Sequence, residues 1–179
     1  MSARPGLTYR YDHLINFRHF DFPPGSHHGF RWVDIKRYTM PSGPAVDRAA
    51  DRAVLAALIA DPQFRDTYDG AGADSNSNRH GQWWLDRLAP SAYERVGARA
   101  ATAVISSWAT QHGSLPDELG ASLMHEVYAP ILMASSRYLL GRLPVQAMHD
   151  YGPVHVDFHE LVLIDRESGS LLLIVAADD

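Results

Sequence analysis

Residues 152–179, GPVHVDFHELVLIDRESGSLLLIVAADD, form the segment that decides the fold. Two apolar runs flank a polar stretch, and a two-residue turn at Ser168 and Gly169 would pair the runs as an antiparallel hairpin. This pairing would set Leu163 opposite Ile174. Near the turn both runs are apolar on two faces, which is typical of strands that lie in the middle of a sheet and are covered on both sides.

A second strand pair is predicted near the N-terminal end of the chain. Residues 7–22, LTYRYDHLINFRHFDF, alternate between two faces, with Tyr9, Tyr11 and His13 on the same one. Turn residues follow, and residues 30–40, FRWVDIKRYTM, then form another strand. The two strands are expected to pair as an antiparallel hairpin with a long loop.

Helical patterns begin after these strands. Residues 44–61 repeat apolar side chains at helical spacing, which predicts a helix with one apolar stripe. Residues 61–69 indicate a further short turn of helix, since Asp61 can act as the N-cap of a turn that begins with proline. Residues 70–81, GAGADSNSNRHG, are expected to form a loop with almost nothing to bury.

Two more helices are predicted in the second half of the chain. Ser91 and Glu94 have the spacing of a capping box, which predicts a helix from there to Gly113. The helical pattern resumes and continues over residues 114–141. A kink or break is expected near Pro130, because proline lacks the N–H group that a helix needs at that point.

The order of these elements predicts an α+β fold. Strands at both ends of a chain commonly join one sheet, so the N-terminal and C-terminal hairpins are expected to form an antiparallel sheet of about four strands. A central block of four or five helices would pack mainly on one face. Residues 1–179 are predicted to form a single globular domain, because this length suits one domain. The alternative is an α-rich fold with two separate hairpins.

The composition excludes several classes of site and partner. The chain contains no cysteine, which excludes disulfides, thiolate metal ligands and cysteine nucleophiles. Its net charge of −5 makes it a poor candidate for binding nucleic acid. The sequence shows neither a signal peptide nor an apolar run of about 20 residues that could span a membrane. A cytoplasmic protein that contacts neither nucleic acid nor membrane is therefore expected.

The chain is rich in histidine, with ten in all, and three ionisable side chains alternate near its end: His155, Asp157 and His159. Alternate residues of a strand are about 6.6 Å apart, so the two histidines would be about 13 Å apart and could not share one metal ion without a bulge. Asp157 could instead orient one imidazole for acid–base chemistry. Side chains that simply face solvent at a strand edge would show the same alternation.

Two residues elsewhere extend this candidate site. His125 lies on a mostly apolar helix, and Tyr11 shares a strand face with His13. An ionisable group in a buried helix needs a partner, which favours a site nearby. The candidate catalytic residues are His155, Asp157, His125 and Tyr11. The candidate metal ligands are His155, His159 and His13, and the expected cofactor is a divalent transition metal or none.

Two functions of different class fit these observations. The first is a small cytosolic enzyme that uses a His/Asp site, with or without a metal, on a small organic molecule. The second is a non-catalytic protein-binding partner, such as an inhibitor, an immunity-type protein or a subunit of an assembly. The acidic charge would suit a basic protein partner.

Overall fold

A six-stranded antiparallel sheet organises the protein. The computed structural model describes residues 6–43 and 48–179. In chain order the strands are β1 Thr8–Asn16, β2 Arg31–Thr39, β3 Arg79–His80, β4 Trp83–Trp84, β5 Tyr93–Arg95, β6 Ser136–Leu140, β7 Phe158–Asp165 and β8 Ser170–Asp178. The order across the large sheet is β1-β2-β8-β7-β6-β5, and β3 and β4 form a separate two-stranded ribbon.

Helices occupy three regions of the described chain. Helix α1 spans Arg48–Ala60 and α2 spans Ala98–Ala109. The third region consists of α3 Asp117–Leu123, a π turn Met124–Tyr128 and α4 Ala129–Met133. In the π turn the N–H of Ala129 donates to the carbonyl of Met124, five residues back. The disturbance expected near Pro130 therefore takes the form of a π turn just before it.

The predicted fold class is wrong in the number of its elements. The sheet has six strands rather than about four, and the described chain has three helical regions rather than four or five. The capping-box pattern at Ser91 and Glu94 does not begin a helix, because Glu94 lies in β5 and pairs with Leu139 of β6. Strands β5 and β6 are both extended, because the hydrogen bonds between them outweigh the local helix signal.

The helices pack on both faces of the sheet, not mainly on one. On the first face, which we call the α2 face, α2 and the third helical region cover strand residues such as Leu161 and Ile174. On the opposite face, which we call the α1 face, α1 and side chains of residues 61–92 cover Val162 and Leu173. Strands β7 and β8 are apolar on two faces because each face has its own covering layer.

The turn of the C-terminal hairpin is longer than predicted. Asp165 pairs with Ser170 across a turn of residues 166–169, and the Asp165 carboxylate accepts hydrogen bonds from two backbone N–H groups of this turn. Leu163 consequently pairs with Leu172 rather than with Ile174. The register differs from the predicted one by two residues, and an even shift leaves every side chain on its expected face.

Strand β1 forms the edge of the sheet and pairs with β2 as the N-terminal hairpin. The pairing is antiparallel, and its register shifts between Tyr9 and Tyr11, so that Arg10 is the extra residue of a β-bulge. The guanidinium of Arg10 donates a hydrogen bond of 2.9 Å to the hydroxyl of Thr39. The other side of β1 has no neighbouring strand among the described residues.

The predicted helix over residues 44–61 and the predicted domain over residues 1–179 both include residues that the structure does not describe. Residues 44–47, the first turn of the helix predicted over 44–61, lie outside the described residues, as do residues 1–5. Within the ranges that are described, no helix combines the length and the apolar character needed to cross a membrane.

A buried ion pair fastens α1 to the sheet. Asp51 of α1 pairs with Arg166 of the C-terminal hairpin turn, and both side chains are almost inaccessible to solvent. The Oδ2 atom of Asp51 also accepts hydrogen bonds from the hydroxyls of Ser136 at 2.7 Å and Tyr138 at 2.8 Å. Both carboxylate oxygens thus have partners, and the buried charge is neutralised, as burial requires.

Replacing Asp51 by alanine is expected to destabilise the protein by about 3 kcal/mol or more, because Arg166 would become a buried charge without a counter-ion. Urea unfolding at neutral pH measures this change. The matched control is Asp86→Ala, which removes an exposed aspartate 3.6 Å from Arg87. The control should lose less than about 1 kcal/mol. Equal losses in the two variants would show that the buried pair does not anchor α1.

Candidate functional site

A pocket of about 500 Å³ opens on the α1 face, beside the edge of the sheet formed by β1 and β2. These strands form one wall, and residues 66–72 form much of the other. The volume lies within the range of roughly 300–1,000 Å³ that is usual for small-molecule sites. All the charged residues that line it are aspartates, and we call it the aspartate pocket: Asp12, Asp34, Asp66, Asp69 and Asp179.

Strand alternation carries two charged residues of β2 to this face. Asp34 and Lys36 point toward the α1 face, while Val33 and Ile35 belong to the apolar cluster on the α2 face. Because β2 lies between β1 and β8, both charged side chains are buried, with 11% of Asp34 and 3% of Lys36 exposed. Two opposite charges are therefore held close together away from water.

The ammonium group of Lys36 is shared by two carboxylates. Its Nζ atom lies 2.7 Å from Oδ2 of Asp66 and 3.3 Å from Oδ1 of Asp34. The other oxygen of Asp66 accepts a hydrogen bond of 2.8 Å from the N–H of Tyr68. The Asp34 carboxylate makes no hydrogen bond other than that to Lys36 within the described part of the chain. Asp66 is thus held at both oxygens, and Asp34 is the less compensated of the two.

The protonation of these groups follows from their burial. Burial raises the pKa of Asp34 to about 6, although the Lys36 ammonium opposes the shift. Burial also lowers the pKa of Lys36, but the nearby Asp34 and Asp66 outweigh this effect, and the pKa is raised overall. Lys36 therefore stays charged, while Asp34 exchanges its proton close to neutral pH, as acid–base groups in functional sites often do.

Two stacked aromatic rings form part of the pocket wall. The rings of Trp32 and Tyr68 lie 5.7 Å apart with 25° between their planes, and Lys36 Nζ lies 4.9 Å from the centre of the Tyr68 ring. Tyr68 has a φ of 57°, a left-handed conformation that bulky residues rarely adopt. These ring contacts offset the backbone strain. The Tyr68 hydroxyl is buried without a hydrogen-bond partner among the described residues.

His155 packs behind the pocket wall and does not belong to a strand. Strand β7 begins at Phe158, so His155 lies in the preceding loop, and its side chain is fully buried. Its ring contacts Trp32 edge to face, with centroids 5.4 Å apart. Its Nε2 donates to the carbonyl of Thr67 at 3.3 Å, and its Nδ1 lies 3.5 Å from the carboxylate of Asp179. His155 therefore supports two residues that line the pocket.

A second buried polar cluster lies deeper on the α1 face. Glu160 of β7 accepts a hydrogen bond from the Tyr93 hydroxyl and lies 2.6 Å from Nε2 of His80, whose Nδ1 donates to the carbonyl of Phe64. Because that carbonyl can only accept, Nδ1 carries the donated proton. The His80 ring also contacts Tyr68 at 5.7 Å, so the cluster supports the aspartate pocket from behind.

The structure does not bring the predicted metal ligands His155, His159 and His13 together. His155 lies on the α1 face, whereas His159 and His13 lie on the α2 face, with the sheet between them. His159 packs against Trp108, and burial there lowers its pKa. Among the described residues, no group of three or more histidine, aspartate or glutamate side chains is arranged to hold a metal ion.

Asp157 makes no hydrogen bond within the described residues to either imidazole that it could orient, that of His155 or that of His159. It lies in the loop before β7, its backbone N–H donates to Asp178, and its carboxylate is 3.5 Å from the amide nitrogen of Gln111. It makes no hydrogen bond to His155 in the described part of the chain. The alternation of residues 155 to 159 does not place them on one face, because residues 155 and 157 precede the strand.

His125 and Tyr11 belong to one surface cluster on the α2 face. Arg37 of β2 forms an ion pair with Glu126, and its guanidinium carbon lies 5.7 Å from the centre of the Tyr11 ring. His125 Nδ1 lies 2.8 Å from Glu126, but the His125 side chain is 84% exposed. The cluster thus contains two predicted catalytic residues, His125 and Tyr11. It lies at the surface of the protein, where ion pairs contribute little to stability.

The sequence pattern did not single out the residues that form the aspartate pocket. A signal was available for Asp34 and Lys36, because two opposite charges alternate with apolar residues in a strand that also carries large aromatic side chains. Such charges need partners when the strand is covered. Asp66 and Tyr68 carry no local signal, since Asp66 meets Lys36 across 30 residues of chain.

Comparison of the chain with family models, with curated proteins and with solved structures finds no match. The function is therefore argued from the chemistry of the pocket. A carboxyl group that titrates near neutral pH, set beside a fixed charge pair and aromatic rings, can bind a small organic molecule and exchange a proton with it.

Asp34→Asn is expected to stabilise the protein by about 3 kcal/mol at about pH 7.5 and to have little effect at about pH 4. The pKa of Asp34 is about 6 in the folded protein, compared with about 3.9 in an unfolded chain. The folded state thus binds the proton more tightly, and the stability falls as the pH rises between these values. Urea unfolding of both proteins across this range measures the difference.

The control for this prediction is Asp69→Asn, which removes an exposed aspartate from the rim of the same pocket. It should show no gain in stability at either pH. A stability profile of Asp34→Asn that parallels the parent profile between about pH 4 and pH 6 would mean that ionised Asp34 carries no cost in the fold.

Proposed function

We propose that this protein is a small acid–base enzyme that binds a small organic cation in the aspartate pocket, with the Asp34 carboxylate as proton acceptor. One observation carries the proposal: two buried carboxylates share the single ammonium group of Lys36. When Asp34 is ionised, this buried site lacks one positive charge. A proton or a cationic ligand can supply it, and the two compete.

The charges at the mouth of the pocket favour the same class of ligand. Asp12, Asp69 and Asp179 line it, and none of the arginines or lysines that the structure describes does. A cleft whose lining carries charges of one sign attracts ligands of the opposite sign. The net charge of the chain, −5, has the same sign. An amine or another organic cation is therefore drawn in, and an anion is repelled.

The aromatic wall suits an organic cation better than a bare metal ion. The Tyr68 ring already carries the Lys36 ammonium 4.9 Å from its centre, and Trp32 stacks beside it. Aromatic faces attract ammonium groups and also give apolar contact to the carbon atoms that bear them.

The proposed chemistry is a proton transfer that balances without a co-reactant. The Asp34 carboxylate takes a proton from the substrate and becomes a neutral acid, and it then returns a proton to the substrate. Lys36 stays paired with Asp66 throughout, so the site passes between two states that are each acceptable in a buried environment. His155 is a positioning residue here, because it contacts Trp32 and Asp179 and does not line the pocket.

The proposed site therefore differs from the His/Asp site expected from the sequence. Its acid–base group is Asp34, and His155 packs behind the pocket wall. The proposal keeps a small organic molecule as substrate and uses no metal. A cytoplasmic location remains part of this proposal.

Benzylamine is expected to bind more tightly than neutral benzyl alcohol, with an affinity that falls about tenfold from about pH 7.5 to about pH 5. The reason is that Asp34, with a pKa of about 6, is protonated at the lower pH and no longer attracts a cation. Isothermal titration calorimetry at both pH values measures the affinities. Asp34→Asn should remove both the preference for the amine and its pH dependence.

The matched control is again Asp69→Asn, which removes one negative charge from the rim and leaves the buried charges in place. It should weaken binding slightly and keep the pH dependence. Equal binding of amine and alcohol, or unchanged binding to Asp34→Asn, would contradict the proposal. Such a result, together with a stable complex with another protein, would support the alternative of a non-catalytic binding partner.

Proton transfer itself is tested by isotope exchange. The protein is incubated in deuterated water with a mixture of small amine metabolites, and mass spectrometry records deuterium at carbon positions. Exchange into one amine is expected with the parent protein and with Asp69→Asn, and not with Asp34→Asn. Exchange that persists in Asp34→Asn would show that another group accepts the proton.

A further inference from the structure

A larger cleft, of about 910 Å³, lies between α1 and the opposite edge of the sheet, where β5 and β6 pair. It shares no lining residue with the aspartate pocket. Its charged lining residues are all arginines: Arg48, Arg52, Arg95 and Arg137. In a chain with a net charge of −5 and 16 basic residues, this local excess of positive charge is opposite in sign to the protein as a whole.

Three of these arginines are free to bind a ligand. Arg48 and Arg52 are four residues apart on α1, so they lie on the same side of the helix, and Arg95 lies across the cleft on β5. None of their three side chains makes a hydrogen bond or an ion pair within the described part of the chain. The guanidinium of Arg137 is occupied, since it donates to carbonyls at the end of the third helical region.

The nearest buried carboxylate does not neutralise this charge. Asp51 lies between Arg48 and Arg52 in the sequence of α1, but its carboxylate is bonded to Arg166, Ser136 and Tyr138. At the floor of the cleft, the charges of Asp51 and Arg166 therefore neutralise each other. The three free guanidinium groups keep their full positive charge, which an anion can compensate.

We infer that this cleft binds a phosphorylated small organic molecule, with Arg48, Arg52 and Arg95 holding the phosphate group. The planar guanidinium group of an arginine can donate hydrogen bonds to two phosphate oxygens at once. A dianion also pairs with several arginines more favourably than a monoanion does. The volume leaves room for more than a phosphate ion.

The other side chains of the cleft suit the organic part of such a ligand. Tyr93 and Tyr138 line the cleft together with Leu55. The hydroxyl of Tyr93 is bonded to Glu160 and that of Tyr138 to Asp51, so ring carbons are what the two tyrosines can offer to a ligand. An apolar or aromatic group attached to the phosphate would gain contact there. This inference is independent of the proposed function, because the two sites share no residue.

Phenyl phosphate, inorganic phosphate and the monoanion phenylacetate are the probes, titrated calorimetrically into the full chain at low ionic strength. Phenyl phosphate is expected to bind most tightly. The double variant Arg48→Gln and Arg52→Gln should weaken its binding at least about tenfold, since hydrogen bonds between charged groups are lost. Arg95→Gln alone should weaken it several-fold. Thermal unfolding of each variant checks that the fold is retained, as expected for exposed side chains.

The matched control is Arg18→Gln, which removes an exposed arginine near the opposite edge of the sheet and should leave binding unchanged. The inference is overturned if Arg18→Gln weakens binding as much as the cleft variants do, since the effect would then be one of net charge. Inorganic phosphate binding as tightly as phenyl phosphate would overturn the organic part. Tighter, arginine-dependent binding of a short single-stranded oligonucleotide would assign the cleft to nucleic acid instead.

Discussion

The α1 face near the β1–β2 edge depends on one ammonium group that is shared by two carboxylates. Lys36 holds Asp66, the other oxygen of Asp66 holds the backbone of Tyr68, and the Tyr68 ring covers Trp32. One wall of the pocket is thus held to the sheet largely by charge and hydrogen bonding. The same arrangement leaves the negative charge of Asp34 only partly compensated. This lowers the stability of the fold and allows Asp34 to exchange a proton close to neutral pH. Functional sites commonly carry such a cost, because the surrounding structure tolerates it.

The two faces of the sheet differ in how they are stabilised. The α2 face is covered by α2 and the third helical region over a continuous apolar cluster. The α1 face holds three buried polar clusters, centred on Lys36, Glu160 and Asp51. In the clusters of Glu160 and Asp51 each carboxylate meets a donor at both oxygens, so they mainly fix neighbouring segments in place. The Lys36 cluster has one carboxylate in excess, and it alone opens into a pocket of aspartates.

Local patterns predicted the parts of the fold that local physics controls. The alternation over residues 7–22 marks β1, but the bulge at Arg10 places Tyr9 on the α1 face and Tyr11 on the α2 face, not on one face as expected. The apolar runs before and after Gly169 mark β7 and β8, because a period of two reflects one strand alone. The pattern over residues 114–141 predicts helix at Tyr138, where the structure has strand β6, because this strand depends on pairing with β7 and β5, which are distant in sequence. For the site, His155 drew attention by its spacing, whereas Asp66 matters only because the chain folds back onto Lys36.

The bulge at Arg10 has a consequence for how the molecule behaves beside its own copies. An edge strand of nine residues presents unpaired backbone groups along which a foreign strand could extend the sheet. The extra residue breaks the regular spacing of those groups part-way along β1 and increases the local twist. An incoming strand could therefore not form regularly spaced hydrogen bonds along the whole length of β1. The irregularity thus limits sheet-to-sheet aggregation at high protein concentration, although none of the strands in the described ranges covers that side.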